Sequence, residues 1–450
     1  MDQRLLRRAW LGAFGAIVVA PSFLWLVSPR EVAGYGLAGV TFWSNLSVLT
    51  GMLLLSTLVC TVILPSRLRS LNRAFGIESV IEIHRFLGVA SAILVLAHLA
   101  CVVAANPANL GLFDWGIAPG RARAAVLATV SLIALVLLAV LKRRLKLSYE
   151  LWRWSHLALS VAVLLFSTAH VYLLGKTVRE PAIASLYVLF VATLVVIFGY
   201  RWAWRSWFDP STEFLVREVR RENATVSTLV LEPRRNANGQ AAESWAFAPG
   251  QFAWIRLERS AAAEEHPFTI SSSAHDETTQ FTIRHAGDFT RAVRQLPPGS
   301  PVWVDGPHGA FTGDHSTGSG LVLLAGGVGL TPMMSMIRTA AHRGDPRAYR
   351  LVVVASAPTD LLFRDELAEL RRYIDLEVTE VLRRPTDGWR GPTGGVSVEL
   401  LSMVLRSVEQ PGDLDYFICG PPVMVSDALE VLEDLGVVPD RVHTEQFDFV

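Results

Sequence analysis

Six long apolar runs fill residues 1–208, at about 9–27, 43–64, 84–105, 124–141, 151–174 and 182–203. Most are near the ~20 residues that a helix needs to cross a hydrocarbon core of about 30 Å. The first part of the chain is therefore read as a six-helix transmembrane bundle. Residues 209–450 read as ordinary soluble protein, so the 51% hydrophobic share averages two regimes. Arg4, Arg7 and Arg8 precede the first run and look like the front of a signal peptide. The run is long for one, and no small-x-small cleavage site follows, so an uncleaved first span is expected.

Lysine and arginine in the connections orient the bundle. One side carries Arg4, Arg7 and Arg8, then Arg67, Arg69 and Arg73, then Lys142, Arg143, Arg144 and Lys146. The other carries Arg30, Arg121, Arg123, Lys176 and Arg179. The richer side is expected to be cytoplasmic. The N-terminus and, after six crossings, residues 209–450 then lie in the cytoplasm of a multi-pass cell-membrane protein.

Four histidines sit in this bundle. His84 and His98 share the third run, His156 and His170 the fifth, and both pairs are spaced i to i+14. Fourteen residues make about four helical turns, so the two rings of a pair share one face, about 21 Å apart. The third and fifth spans run in the same direction. His84 therefore meets His156 near the inner side, and His98 meets His170 near the outer side. Two stacked pairs are the geometry that holds two six-coordinate haems one above the other. A lone intramembrane histidine is more often an interhelical hydrogen-bonding group or part of a proton relay. Two pairs at one spacing on parallel helices are hard to ascribe to chance. Trp152, Trp154, Trp202, Trp204 and Trp207 read as markers of the inner interface. Arg85 and Arg153 flank the inner histidines, as helix-end anchors or partners for haem propionates.

Net formal charge is zero, so nothing points to nucleic acid. Cys60, Cys101 and Cys419 are scattered, with no CxxC. No zinc site, Cys-ligated iron–sulfur cluster or disulfide framework is supported.

Glu82-Ile83-His84-Arg85-Phe86-Leu87-Gly88, followed by His98, resembles the ferric reductase-like transmembrane domain of NADPH oxidases, ferric reductases and their bacterial relatives. The resemblance implies two b-type haems, with His84, His98, His156 and His170 as the iron ligands.

After residue 208 the pattern changes. Short runs at 213–216, 226–231 and 253–257 read as strands without intervening helices, which suggests an antiparallel β-barrel over 209–313. The polar stretch 236–244 reads as an exposed loop. His266-Pro267-Phe268-Thr269 resembles the flavin-binding signature of the ferredoxin–NADP reductase superfamily. The resemblance implies FAD, with the Thr269 hydroxyl near flavin N5. Those reductases often have arginine first in the motif. This chain has His266, so the flavin pyrophosphate needs charge from elsewhere, and Arg284 is the candidate. A helix start is expected at 288–290, beside Gly287 and Thr290, where free backbone N–H groups would meet phosphate oxygens. Asp305-Gly306-Pro307-His308-Gly309-Ala310-Phe311 resembles the turn that closes the family's flavin barrel.

Residues 314–450 alternate strand and helix, as an α/β parallel-sheet nucleotide-binding domain does. The apolar strand 321–325 runs into Gly326-Gly327-Val328-Gly329-Leu330-Thr331-Pro332, with a helix expected from about Pro332. Strand, glycine turn and helix are the context that a dinucleotide pyrophosphate requires, and the stretch resembles the superfamily's GGxGxTP signature. Further units are a strand at 350–356, a helix at 361–373 and a strand at 414–419. Cys419-Gly420-Pro421-Pro422 resembles the family's CGPP, which lies beside the nicotinamide. The family often ends on an aromatic residue stacked on the flavin ring, here Phe449, although Phe447 and Val450 leave the register open. The resemblance thus gives Thr269, Cys419 and Phe449 parts in catalysis. Ala357-Pro358-Thr359 stand where NADPH-preferring members often place arginine, so NADH stays open. Arg383, Arg384 and Arg390 could reach a 2′-phosphate, and NADPH is the preferred reading.

These implications combine into a transmembrane oxidoreductase. It would pass electrons from cytoplasmic NAD(P)H through FAD and two haems to an acceptor on the outer face. Oxygen, ferric iron, quinone or a partner protein all suit that role. Two other classes compete: a membrane-anchored flavoreductase serving a cytoplasmic acceptor, and a transporter whose histidines relay protons.

Overall fold

The computed structural model describes residues 3–27, 40–66, 68–142, 144–175, 180–200, 213–234, 245–260, 263–408 and 411–446. Two compact units result: Met1–Ala74 with Ser79–Arg201, and Phe75–Glu78 with Trp202–Val450.

The first unit holds α1 Gln3–Val27, α2 Val40–Ile63, the short α3 Arg69–Phe75 except its last residue, α4 Ile77–Ala105 except its first two, α5 Gly120–Leu141, α6 Tyr149–Leu174 and α7 Pro181–Gly199. Six of these are long and apolar enough to cross a membrane. Each matches one apolar run. The third span begins earlier than the hydropathy suggests, at Ser79, because Glu78 and Glu82 interrupt the apolar pattern without interrupting the helix. Several hydroxyls in the spans are tied to their own helices, whereas Ser56 and Ser66 are buried without a hydrogen-bond partner. Thr57, Thr61 and Ser91 each donate to the carbonyl four residues back, at 2.7, 2.7 and 2.8 Å, as a lipid environment demands. Ser148 caps α6 through Leu151 N–H, and Gly175, at φ +67, ends it in the left-handed conformation that glycine tolerates best.

The second unit contains two sheets. Strands β1 Glu213–Arg221, β2 Val226–Pro233, β3 Phe252–Arg256, β4 Glu265–Thr269, β5 Thr279–Arg284 and β6 Pro301–His308 form an antiparallel sheet in the order β4-β3-β6-β1-β2-β5. An antiparallel bridge from Ile270 to Phe281 joins the two edges, so the sheet closes into a barrel. Alternate residues fill it: Phe214, Val216, Leu229, Leu231, Phe281 and Ile283 point inward, and Phe289 and Val293 of α8 Asp288–Arg294 pack against them. Asp305 to His308 belong to β6 itself, so the turn expected there is confined to Gly309, at φ +101.

The other sheet is parallel, in the order β11-β10-β7-β8-β9. Its strands are β7 Gly320–Gly326, β8 Ala348–Ala355, β9 Leu376–Leu382, β10 Leu414–Gly420 and β11 Val442–Gln446. Helices α9 Leu330–Arg343 and α10 Arg364–Leu370 cover one face, and α11 Val398–Val404 and α12 Pro422–Asp434 the other. Leu321 and Leu323 enter one core and Val322 and Leu324 the other, which is why β7 reads as a continuous apolar run. The helix after the glycine turn starts at Leu330, two residues before the expected Pro332. Proline at the third helical position is tolerated because that N–H has no partner within the helix. The helix expected at 361–373 is shorter. Phe363, at φ +57, breaks the backbone just before α10.

Candidate functional site

The rings of His84 on α4 and His156 on α6 lie 6.2 Å apart, centre to centre. A shared metal needs about that spacing: two metal–nitrogen bonds of about 2 Å plus two ring radii come to roughly 6 Å. Three of the four imidazoles are held from behind by a backbone carbonyl. His84 Nδ1 donates to Thr61 O at 2.9 Å, His98 Nδ1 to Ser47 O at 2.7 Å, and His170 Nδ1 to Arg121 O at 2.8 Å. A carbonyl can only accept. The hydrogen therefore sits on Nδ1, and the Nε2 lone pair is left for a metal. His156 differs. Its Nδ1 is buried without a hydrogen-bond partner, and its ring lies 5.4 Å from that of Trp152, under the Lys142 ammonium. Among the described residues, no three His, Cys, Asp or Glu side chains could hold a metal ion together. Paired histidines suit a haem iron instead, because the porphyrin supplies the other ligands. Arg153 lies over Trp154, while Trp202, Trp204 and Trp207 fall outside the described residues.

In the barrel, Thr269 ends β4. It is 4% exposed, and its hydroxyl has no hydrogen-bond partner. A buried polar group left unsatisfied costs about 1–3 kcal/mol, so this oxygen marks a place where a ligand atom fits. His266 and Phe268 of the same strand cluster with Phe289 of α8, with ring separations of 4.4 Å for His266–Phe289 and 6.1 Å for Phe268–Phe289. The β4 motif and the start of α8 are thus brought together. His266 Nε2 bonds the Glu264 carboxylate at 2.7 Å, and Pro267 faces Trp254 across the strand pair. Arg284 is exposed at the end of β5. Thr290 acts as a clamp: its hydroxyl accepts from Ala286 N–H and Gly287 N–H at 2.9 and 3.0 Å. The first-turn amides of α8 beyond Gly287 have no acceptor within the helix. Nearby His285 titrates below the ordinary imidazole range, chiefly because of burial and then because of the Arg294 and Arg221 charges.

The glycine turn lies where strand order reverses. From β7 the chain moves to β8 and β9 on one side and later to β10 and β11 on the other. In open α/β sheets, the crevice at the carboxyl ends of such strands is where ligands bind. The turn interlocks with the end of β10. A Cβ on Gly329 would lie 2.2 Å from Cys419 O, and one on Gly326 would lie 2.6 Å from the Met424 sulfur and 2.8 Å from Pro421. Gly327 faces open space at φ +56, so a phosphate could approach its backbone. Thr331 closes the turn through Val328 O at 2.9 Å, and Pro332 is buried just behind it. Gly420 and Cys419 are buried, whereas Pro421 is exposed at the mouth. Beyond β8, the Arg383 and Arg384 amides bond Ala355 O and Ser356 O, both at 3.0 Å, and both side chains are exposed. Phe449, like Phe447 and Val450, lies outside the described residues. The last described residue, Gln446, is level with Gly420.

The acceptors behind the histidines are main-chain carbonyls, which leave no side-chain mark in the sequence. One signal existed: the α-helical donor to Thr61 O would be residue 65, and Pro65 has no N–H.

Three family models match. They are a ferric reductase like transmembrane component over residues 50–167, an FAD-binding domain over 223–310, and an oxidoreductase NAD-binding domain over 323–430. Sulfhydrogenase 2 subunit gamma of Pyrococcus furiosus is 29% identical over 210 residues, covering 45% of this chain and 72% of its own. Ferredoxin–NADP reductase B of Sorangium cellulosum is 30% identical over 220 residues, covering 47% and 88%. Another relative, at 30% identity, is matched over only 55% of its length. A solved ferredoxin NADP+ reductase from Neisseria gonorrhoeae, with FAD and NADP bound, aligns with 52% of this chain and 98% of its own at 22% identity and a TM-score of 0.46.

Proposed function

We propose that this chain, which belongs to the family joining a ferric reductase-like transmembrane component to a ferredoxin–NADP reductase-type FAD and NAD(P) module, carries electrons from cytoplasmic NAD(P)H through FAD and two b-type haems to an acceptor on the outer face. It is a multi-pass membrane oxidoreductase that uses NAD(P)H. In this reading residues 1–208 form the di-haem domain, 209–313 the FAD barrel and 314–450 the NAD(P) domain.

One observation supports the proposal above the rest. Three of four paired histidines inside apolar helices have Nδ1 tied to a carbonyl, with Nε2 left as a metal ligand. A proton relay gains nothing from fixing that tautomer. When bound, the flavin would turn a two-electron hydride donor into a source of single electrons, and the haem irons would carry these across the bilayer.

The chain's own residues bind and orient. His84 with His156, and His98 with His170, would hold the two haem irons. Gly327 would let the nucleotide pyrophosphate reach the turn amides, while Gly326 and Gly329 seat that turn against Cys419, Gly420 and Pro421. The Thr269 hydroxyl would meet flavin N5, and Arg284 with the first amides of α8 would meet the flavin pyrophosphate. Phe449 would cover the flavin ring. The lysine and arginine bias supports a cytoplasmic soluble half.

Transfer across a sealed membrane tests this. The full chain is reconstituted into vesicles with its soluble half outward and ferricyanide trapped inside. External NADPH should reduce the trapped ferricyanide. Reduction only when ferricyanide is outside would favour the anchored flavoreductase.

A further inference from the structure

α2 carries no histidine, yet it supplies the hydrogen-bond acceptors to both histidines of α4. Thr61 O meets His84 Nδ1 and Ser47 O meets His98 Nδ1. Thr61 and Ser47 are fourteen residues apart, as His84 and His98 are, so the two helices run antiparallel in register. Helix carbonyls normally accept from the amide four residues on. Each of these two has a local reason to accept an imidazole as well. Behind Thr61 the amide is missing, because residue 65 is proline. Beside Ser47 the fourth residue on is Gly51. A Cβ there would lie 3.2 Å from His98 Cε1 and 3.3 Å from His98 Nδ1, so only glycine leaves the ring its full approach to the carbonyl.

We propose that α2 is the tuning helix of this membrane domain. Pro65 and Gly51 are positioning residues that set the tautomer and donor strength of His84 and His98, one at each level of the bundle. The inference rests on the reading of the four histidines as haem ligands. An N–H···O=C bond at Nδ1 makes the imidazole a more basic ligand, and hydrogen bonding behind the ligand is one lever on haem potential. A more basic ligand favours ferric iron, so losing the bond should raise the potential.

The test uses the full-length holoprotein, titrated potentiometrically and followed by absorbance and low-temperature electron paramagnetic resonance, which separate the two haems. Pro65→Ala restores an amide that competes for Thr61 O. The His84–His156 couple should move to higher potential by up to a tenfold change in its reduction equilibrium, about 59 mV for one electron, while the other stays put. Pro65→Ser must shift it in the same direction. Gly51→Ala should instead shift the His98–His170 couple and its resonance signature, leaving the first unchanged. Gly15→Ala on α1, where an added Cβ meets nothing within 4 Å, is the control and should move neither. Unshifted couples in all variants, or both couples moving together, would overturn the inference while leaving the haem reading intact. Haem-free wild-type protein would overturn the haem reading and this inference with it.

Discussion

Gly329→Ala is the sharpest perturbation of the nucleotide side. The added Cβ would lie 2.2 Å from Cys419 O, 2.6 Å from the Cys419 carbonyl carbon and 3.0 Å from Gly420 N. These are backbone atoms of β10, whose seven residues are all buried between β7 and β11, so they have little room to yield. Ordinary van der Waals contact is about 3.5 Å, so the glycine turn must retreat by roughly 1 Å. Overpacking of this kind costs about 1–3 kcal/mol, and a domain of this size loses about 2–4 °C in Tm per kcal/mol. The same displacement takes the turn amides off the pyrophosphate, and an error of about 1 Å in positioning can cost 10²-fold in rate. Stopped-flow bleaching of the flavin by NADPH isolates this step from the membrane half. We expect kcat/KM for flavin reduction to fall by about 10²-fold, together with a lower Tm. Gly327→Ala is the internal contrast. It meets open space, so its Tm should drop only by the left-handed backbone penalty of about 1–2 kcal/mol, while KM for NADPH rises. Wild-type Tm and flavin reduction in Gly329→Ala would refute the interlock of the two motifs.

Other outcomes follow from single contacts. Thr269→Ala removes a buried hydroxyl that has no protein partner, so the flavin-free protein should keep or gain stability while NADPH-driven flavin reduction slows; a large Tm loss would mean the hydroxyl serves the protein itself. Replacing either member of a histidine pair should drop the haem content from two to one per chain, measured as pyridine haemochrome, and His98→Ala with His170→Ala together should lose no more than either alone. Changing Arg383 and Arg384 to serine removes two exposed cations beside Ser356. With about 1.5–3 kcal/mol for a hydrogen bond to a charged group, KM for NADPH should rise at least tenfold with that for NADH unchanged; equal effects on both would remove these residues from 2′-phosphate recognition.

The sequence was most informative where the environment leaves few choices. Hydrocarbon thickness sets the length of a span, so all six are legible from apolar runs alone, except for the start of the third, where Glu78 and Glu82 hide the first turns. The histidine spacing is legible because one helical period relates both pairs. The glycine turn is legible because strand, turn and helix each leave a mark, although the two-residue error at Pro332 shows that proline can sit inside a first turn. β11, Val-His-Thr-Glu-Gln, was not legible: an edge strand of mostly polar residues has no apolar pattern to betray it. Nor was the clamp role of Thr290, which depends on where its hydroxyl falls. The carbonyls of Ser47, Thr61 and Arg121 were the least legible, since every residue type carries the same group.

The most direct measurement is an anaerobic absorption spectrum of the purified full-length protein before and after NADPH, with haem and flavin quantified in the same sample. We expect two b-type haems per FAD, and haem bands that sharpen and shift to the reduced form after nucleotide is added. Flavin that bleaches with haem bands absent, in protein purified with haem supplied throughout, would contradict that expectation.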